Sequence, residues 1–202
     1  MSTDPRGRPP LSEERRREQR LAVSRAAVAL FREHGLSTTS GQQVAAAAGI
    51  SERTLWRLFR SKESCVEPVL RSVVDGTRDA LRSWSASTAL DEHLGAVAEE
   101  LFDADDTEDA LAVIRMSHES PPLRAVWLLL QEQTEPALRE ALAGPMGLPP
   151  DAPAVYVRAA TTNAALRVLV DAVAAGGTSY ELDEVVAAVR DATRPPPAPS
   201  DR

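Results

Sequence analysis

The side chains with the clearest chemical potential in this sequence lie on one short predicted helix, at positions 52–59. At 100° per residue, Arg53, Trp56 and Arg57 fall on one face of that helix, and apolar side chains fall on the other. Guanidinium groups bind phosphate and can donate paired hydrogen bonds to guanine. A short helix with an arginine-rich front and an apolar back has the charge and the shape to enter a major groove of DNA. The pattern therefore indicates nucleic-acid binding.

The stretch that precedes this helix predicts the element that positions it. A second short helix is predicted at 41–48, and Ser40 with Gln43 forms the capping-box pattern at its start. Gly49 suits the φ > 0 backbone of a tight turn, and Ser51 is placed to cap the next helix. Two short helices around a turn that contains glycine predict a helix-turn-helix. An αα-hairpin in an unrelated helical bundle is the alternative.

The charge of the chain is divided unevenly along its length. Residues 1–62 hold 12 Lys and Arg against 6 Asp and Glu, whereas the remainder holds 11 against 24, for an overall formal charge of -7. Phosphate attracts the first part and repels the second, which would orient the protein on a duplex. A basic tail beside a solvated acidic domain would give the same division.

The run from Arg20 to Glu63 resembles the DNA-binding headpiece of the TetR family of regulators, in one continuous register over about a fifth of the chain. The matching residues are Ala27, Phe31, Gly35, Thr39, Ser40, Val44, Ala45, Ala48, Gly49, Ile50, Ser51, Thr54, Leu55, Phe59, Ser61, Lys62 and Glu63. The resemblance implies an all-α protein of about nine helices. Three would form the N-terminal helix-turn-helix headpiece, and six would form a C-terminal bundle for dimerisation and ligand binding.

The resemblance also implies roles for individual residues of the headpiece. Thr39 and Ser40 would contact phosphate at a helix N-terminus, and Lys62 would contact the DNA backbone. Ser51, Arg53, Thr54 and Arg57 would face base edges or nearby phosphates. The expected DNA-binding set is Thr39, Ser40, Ser51, Arg53, Thr54, Trp56, Arg57 and Lys62.

Three residues depart from the family pattern without breaking it. Arg53 stands where the family often has a small residue, and Trp56 replaces the usual tyrosine, so its indole N–H donates but cannot accept. Gly41 replaces an apolar residue at the first position of its helix, which predicts a less rigid helix end.

The predicted domain organisation has four segments. They are a flexible basic arm at 1–14, the helix-turn-helix domain at 15–62, a helical effector-binding and dimerisation domain at 63–193, and a disordered tail at 194–202. Helices are predicted at 15–34, 41–48, 52–59, 61–84, 91–103, 106–118, 121–143, 152–175 and 181–193. Pro68 would kink the helix at 61–84. We expect this kink either to transmit a ligand signal or to have no role.

Apolar residues of the C-terminal part are candidates to line an effector cavity, with core packing as the alternative. The candidates are Trp84, Phe102, Arg115, Met116, His118 and Trp127, of which Arg115 and His118 would supply polar contacts. Leu130 has the same character.

Two apolar stripes predict self-association as an isologous four-helix bundle, although both could instead pack within one subunit. The first stripe is Val155, Ala159, Thr162, Leu166, Leu169, Val170 and Val173, and the second is Leu182, Val185, Val186 and Val189. Two headpieces would read a near-palindromic site more specifically than one.

No residue spacing supports catalysis or metal binding. Ser117, His118 and Glu119 are adjacent on a predicted helix and point about 100° apart, so they cannot form a triad among themselves. The chain is therefore not expected to be an enzyme or to need a cofactor. With no apolar run long enough for a membrane span and no secretory signal, it is expected in the cytoplasm.

The sequence thus predicts a homodimeric, ligand-responsive regulator of transcription, a repressor that a small-molecule effector releases from double-stranded operator DNA. The alternative is a helical ligand-binding or interaction protein that has lost sequence-specific DNA binding.

Overall fold

A computed structural model describes residues 12–85, 87–90, 92–93, 96, 106–176, 184–188 and 190–191. The chain forms two compact units, Met1–Pro68 and Val69–Arg202. All regular secondary structure in these described ranges is helical, with eight α-helices and one 3-10 helix of defined bounds. The all-α class predicted from the sequence is thereby confirmed. None of the described helices is long and apolar enough to cross a membrane.

The first unit is built on one long helix and two short ones: α1 (Glu13–His34), α2 (Gly41–Ala47) and α3 (Glu52–Leu58). Helix α1 begins two residues earlier than predicted because the Ser12 hydroxyl accepts the amide N–H of Arg15 and caps it. The core between the three helices is closed by side chains that are almost fully buried. These are Val23, Ala27, Val28, Phe31, Val44, Ala45, Leu55 and Phe59.

The segment after α3 differs from the predicted kinked helix at 61–84. A 3-10 helix spans Glu63–Val66, and α4 begins only afterwards and spans Glu67–Ser83. Pro68 is therefore the second residue of α4, where its missing N–H has no intrahelical partner to lose. The predicted kink at Pro68 was wrong for this reason. Cys65 in the 3-10 helix is buried, and burial, followed by the charge of Glu63, raises the pKa of its thiol to about 12.

The second unit contains the rest of α4 and four further helices with defined bounds. They are α5 (Thr107–Ser117), α6 (Pro121–Glu132), α7 (Glu135–Met146) and α8 (Pro153–Ala175). The single helix predicted at 121–143 is in fact two, because Pro136 lacks an N–H and its ring would clash with the carbonyl of Glu132 in a continuous helix. The predicted helix at 91–103 lies largely outside the described residues, and of the one at 181–193, residues 184–188 and 190–191 are helical.

Helix α8 forms one wall of the core of the second unit and packs against α5, α6 and α7. Ala159 of α8 meets Leu138 and Leu142 of α7 and Leu81 of α4, all of them buried. Small residues on this face of α8 allow the helices to approach closely, which is how the core closes around larger side chains from the other helices.

Asp171 links α5, α6 and α8 through one largely buried carboxylate. It accepts hydrogen bonds from Nη1 and Nη2 of Arg124, at 2.9 and 2.7 Å, and from the indole N–H of buried Trp127 at 3.2 Å. Arg167 donates from one turn earlier on α8 at 3.3 Å, and Nε2 of His118 lies 3.8 Å away. Burial is the largest influence and opposes ionisation, but the bonds from Arg124 and Trp127 and the nearby charges together lower the pKa of Asp171.

We expect Asp171→Asn to lower the free energy of unfolding by about 2–3 kcal/mol at pH 7, because Arg124 would lose its carboxylate partner. Since the pKa of Asp171 is lowered in the folded state, its ionised form stabilises the fold above about pH 4, and this stabilisation is lost as pH falls through the folded-state pKa. Urea unfolding of the variant should therefore depend less steeply on pH below about pH 4. Asp79→Asn, at an exposed carboxylate on α4, is the control and should change stability by no more than about 0.5 kcal/mol. Equal losses in the two variants would contradict the role of Asp171.

Candidate nucleic-acid interface

Helices α2 and α3 are each defined at their start by a side-chain cap. At α2 the Ser40 hydroxyl accepts the N–H of Gln43 at 3.2 Å, and the Gln43 side chain accepts the N–H of Ser40 at 2.7 Å. This is the capping box that the sequence predicts. At α3 the Ser51 hydroxyl accepts the N–H of Thr54 at 3.2 Å. The turn between the two helices carries Gly49 with φ of 66°, a conformation that favours glycine.

Helix α3 has the apolar buried face and the basic exposed face that the sequence predicts. Leu55 and Phe59 are buried in the core of the first unit, whereas Arg53, Trp56 and Arg57 are exposed. Ser51 is also exposed, and its hydroxyl lies 2.8 Å from that of Thr54, so each can hold the other in place at the N-terminus of α3. A basic surface with one large aromatic side chain results, of the kind that can contact bases and phosphates.

Arg20 of α1 fixes the other end of α3, which the sequence did not reveal. One of its terminal nitrogens donates to the backbone carbonyl of Leu58, the last residue of α3. Its guanidinium carbon lies 4.4 Å from the ring centroid of Phe59, and a second nitrogen lies 3.5 Å from a carboxylate oxygen of Glu67. A guanidinium here satisfies a terminal carbonyl and stabilises the negative end of the helix dipole. No local pattern could have indicated it, since Leu58 is 38 positions away.

Thr39 and Lys62 make internal bonds within the first unit. Thr39 is buried, and its hydroxyl donates to the carbonyl of Gly35 at 2.8 Å. The ammonium of Lys62 donates to the carbonyls of Leu36 at 2.6 Å and Thr39 at 2.9 Å. These two bonds occupy two of its three donors and brace the loop between α1 and α2. Ser40 is exposed at the start of α2. The phosphate contacts expected of all three residues stay predictions.

The helix-turn-helix is also the part of the chain that matches known proteins most specifically. Residues 24–69 match the family model described as bacterial regulatory proteins of the tetR family. Over 96 residues, 46% of this chain, the sequence is 34% identical to the HTH-type transcriptional repressor KstR2 of Rhodococcus jostii (strain RHA1). The helix-turn-helix region of this chain is therefore similar to the DNA-binding region of the tetR family. The chain spans about half the length of this curated relative, since the match covers 47% of KstR2.

Solved structures of TetR-type proteins share the fold over most of both chains. A multidrug binding protein, EbrR, crystallised with imidazole, is 20% identical with a TM-score of 0.58, covering 91% of this chain and 98% of that one. FadR of Thermus thermophilus, a TetR-family repressor in complex with lauroyl-CoA, is 20% identical with a TM-score of 0.56, covering 91% and 99%. These likenesses concern the fold. TetR proteins are regulators of transcription and not enzymes.

The residues expected to line an effector pocket are distributed over different parts of the second unit. Trp84 packs on the cluster of Leu81 and Leu138, and its indole N–H donates to the carbonyl of Thr88 at 2.9 Å. Trp127 donates a hydrogen bond to Asp171, and Nε2 of His118 lies 3.8 Å from the same carboxylate. Met116 on α5 is half-buried. Nε of Arg115 donates to the carbonyl of Ala174 at 2.7 Å. Leu130 is buried in the core, and Phe102 lies outside the described residues. Their role in effector binding stays a prediction.

A groove that the sequence did not reveal lies in the second unit, mainly between α6 and α8. Its volume is about 380 Å³. The lining residues are Leu128, Leu129, Gln131, Glu132, Glu135, Ala160, Asn163, Ala164 and Arg167. None of the residues expected in the effector pocket lines it.

The predicted dimerisation stripe on α8 divides between the core and partly exposed positions. Val155, Ala159 and Thr162 are enclosed within the protomer, which leaves them no surface for a partner. Their inward packing is explained by the neighbouring helices α5, α6 and α7, which bury this face of α8. The half-buried members are Leu166, Leu169, Val170 and Val173. In the second stripe Val185 is half-buried and Val186 exposed, whereas Leu182 and Val189 lie outside the described residues.

We expect Lys62→Met to lower the free energy of unfolding by about 1–3 kcal/mol, because two loop carbonyls would lose charge-assisted hydrogen bonds. Urea unfolding followed by circular dichroism measures the change. Arg60→Met removes a neighbouring, exposed positive charge and is the matched control. If both variants unfold at the same urea concentration as the wild type, the bracing role of Lys62 is excluded.

Proposed function

We propose that this chain is a homodimeric repressor of the TetR type, which binds double-stranded operator DNA through α3 and leaves it when a small-molecule effector binds. The observation that carries the proposal is the exposed face of Arg53, Trp56 and Arg57 on a helix capped by Ser51 and anchored by Arg20. A helix fixed at both ends presents these side chains in one orientation, as base reading requires. The match of residues 24–69 to the tetR family model and the 34% identity over 96 residues to KstR2, a transcriptional repressor, support the same function.

Arg53 and Arg57 supply the contacts that make binding both tight and selective. Each can neutralise phosphate, and each can donate two hydrogen bonds to O6 and N7 of guanine. The excess of acidic residues after position 62 would be repelled by the duplex, so the basic unit would approach it first.

The outward face of α8 supports a dimer better than the stripe expected from the sequence. Val157 and Val168 are 66% and 47% exposed, and Thr161 and Ala164 lie between them on the same face. An exposed apolar face of this length on a helix is typical of a surface that packs against another subunit. We place the dimer contact there, with two headpieces on a near-palindromic site.

Effector control is proposed through the groove between α6 and α8. Four apolar and five polar or charged residues line this groove, so a ligand could make both apolar contacts and hydrogen bonds there. EbrR and FadR were crystallised with imidazole and lauroyl-CoA respectively, which supports ligand binding by this fold. Because α8 also carries the proposed dimer face, a ligand in the groove would bias how the two subunits are arranged. A coupling of about 1–3 kcal/mol between effector and DNA would suffice for regulation.

The DNA-binding part of the proposal is tested by comparing operator-sized DNA from beside the gene with random DNA of equal length. Tighter binding to the former, with an affinity that falls steeply as salt increases, is expected for a specific regulator. Arg53→Ala should cost about 1–3 kcal/mol and relax the preference at one base pair. Fluorescence anisotropy of labelled duplexes gives both results. Equal affinity of the wild type for both DNAs would favour the alternative, a helical protein without DNA specificity.

The dimer is tested by placing charge on the outward face of α8. Val157→Glu with Val168→Glu should convert the dimer to a folded monomer in sedimentation experiments, because apposed carboxylates repel one another and lose water on association. Operator affinity should fall with it. Leu148→Glu changes an apolar residue that is 40% exposed elsewhere and should leave the dimer intact. A double variant that remains a dimer would place the contact on another surface.

A further inference from the structure

Gly41 and Trp56 are the two departures from the family pattern that meet in the structure. The six-membered ring of the Trp56 indole lies over the backbone of Gly41, at the first position of α2. A Cβ atom at position 41 would overlap this ring and would lie only 2.5 Å from its Cη2 atom. Because any other residue would bring a Cβ atom there, the seat of the indole exists only with glycine at position 41.

Glu52 sets the orientation of the indole in this seat. Its Oε1 accepts the indole N–H of Trp56 at 3.1 Å, one turn along the same face of α3. The only hydrogen-bond donor of the side chain is thereby engaged. What Trp56 still presents to the exterior is apolar ring, and the residue remains 44% exposed between Arg53 and Arg57 on the basic face.

We propose that Trp56, seated on Gly41 and oriented by Glu52, reads the operator through apolar contact of its ring with a thymine methyl group. This inference rests on the proposed DNA-binding function and assigns one element of its sequence specificity. The thymine methyl is the apolar group that a base pair displays in the major groove. The ring is thus suited to a contact that the two arginines cannot make, and Glu52 and Gly41 act as positioning residues.

The first experiment removes single methyl groups from the DNA. A duplex selected by the wild-type protein from a random pool is resynthesised with each thymine replaced in turn by deoxyuridine. One position in each half-site should lose about three- to fivefold in affinity, the effect of withdrawing one methyl group from an apolar contact. The same replacements should have no effect on Trp56→Ala. Sensitivity at that position in both proteins, or at no position in either, would overturn the proposal.

The second experiment tests the donor and the seat. Trp56→Phe, which keeps an apolar ring, should retain the discrimination between thymine and deoxyuridine. If the indole N–H instead served a phosphate, Trp56→Phe would weaken binding to every sequence equally. Gly41→Ala should displace the indole and abolish the discrimination, whereas in a Trp56→Ala background the same change should leave affinity unaltered.

Gly144→Ala is the matched control for Gly41→Ala, since a Cβ at this helical glycine would meet no other atom within 4 Å. It should change neither affinity nor discrimination. Circular dichroism confirms that each variant is folded. If Gly41→Ala does not fold, the comparison of wild type with Trp56→Ala on deoxyuridine duplexes still decides the proposal. Failure of the wild type to select any duplex would refute the DNA-binding function, whereas selection without a Trp56-dependent thymine refutes this inference alone.

Discussion

The guanidinium of Arg20 makes the contacts that hold the C-terminal end of the exposed helix α3 in the first unit. It bonds the last carbonyl of α3, stacks on Phe59 and pairs with Glu67, so one side chain of α1 joins the end of the exposed helix to the start of α4. A seven-residue helix has too few internal hydrogen bonds to be stable alone. Its orientation therefore depends on contacts with the rest of the unit: Leu55 is buried in the core, Ser51 satisfies an amide at one end and Arg20 satisfies a carbonyl at the other. The contacts that orient the basic surface are thus made on the side of α3 that faces the protein.

In the second unit, the two faces of α8 have different roles. Its inner face is closed by Val155, Ala159 and Thr162, and near its C-terminus Asp171 ties it to α6 through Arg124. With one face committed to the core, the apolar residues of the opposite face are available to a partner subunit. A ligand in the groove proposed as the effector site would lie next to the helix that carries the proposed dimer face.

Local patterns predicted much of the first unit because its signals are short-range. The capping box of Ser40 and Gln43, the turn at Gly49 and the two faces of α3 each depend on residues within four positions of one another. Contacts between distant residues were beyond such reasoning, as Arg20 with Leu58 and Lys62 with Leu36 illustrate. The merged helix at 121–143 and the kink at Pro68 were wrong because each proline begins a helix here. The dimer stripe predicted on α8 is divided between the core and half-buried positions, since periodicity alone cannot tell which apolar residues meet a partner.

The seat of Trp56 also links sequence change at positions 41 and 56. A side chain at position 41 and the indole cannot share this seat, so a larger residue at position 41 must push the ring aside or be matched by a change at position 56. Substitutions at these two positions should therefore be coupled, although the positions lie on different helices. If α3 of a relative were grafted into this chain, the residue at position 41 would have to be chosen to suit the residue at position 56.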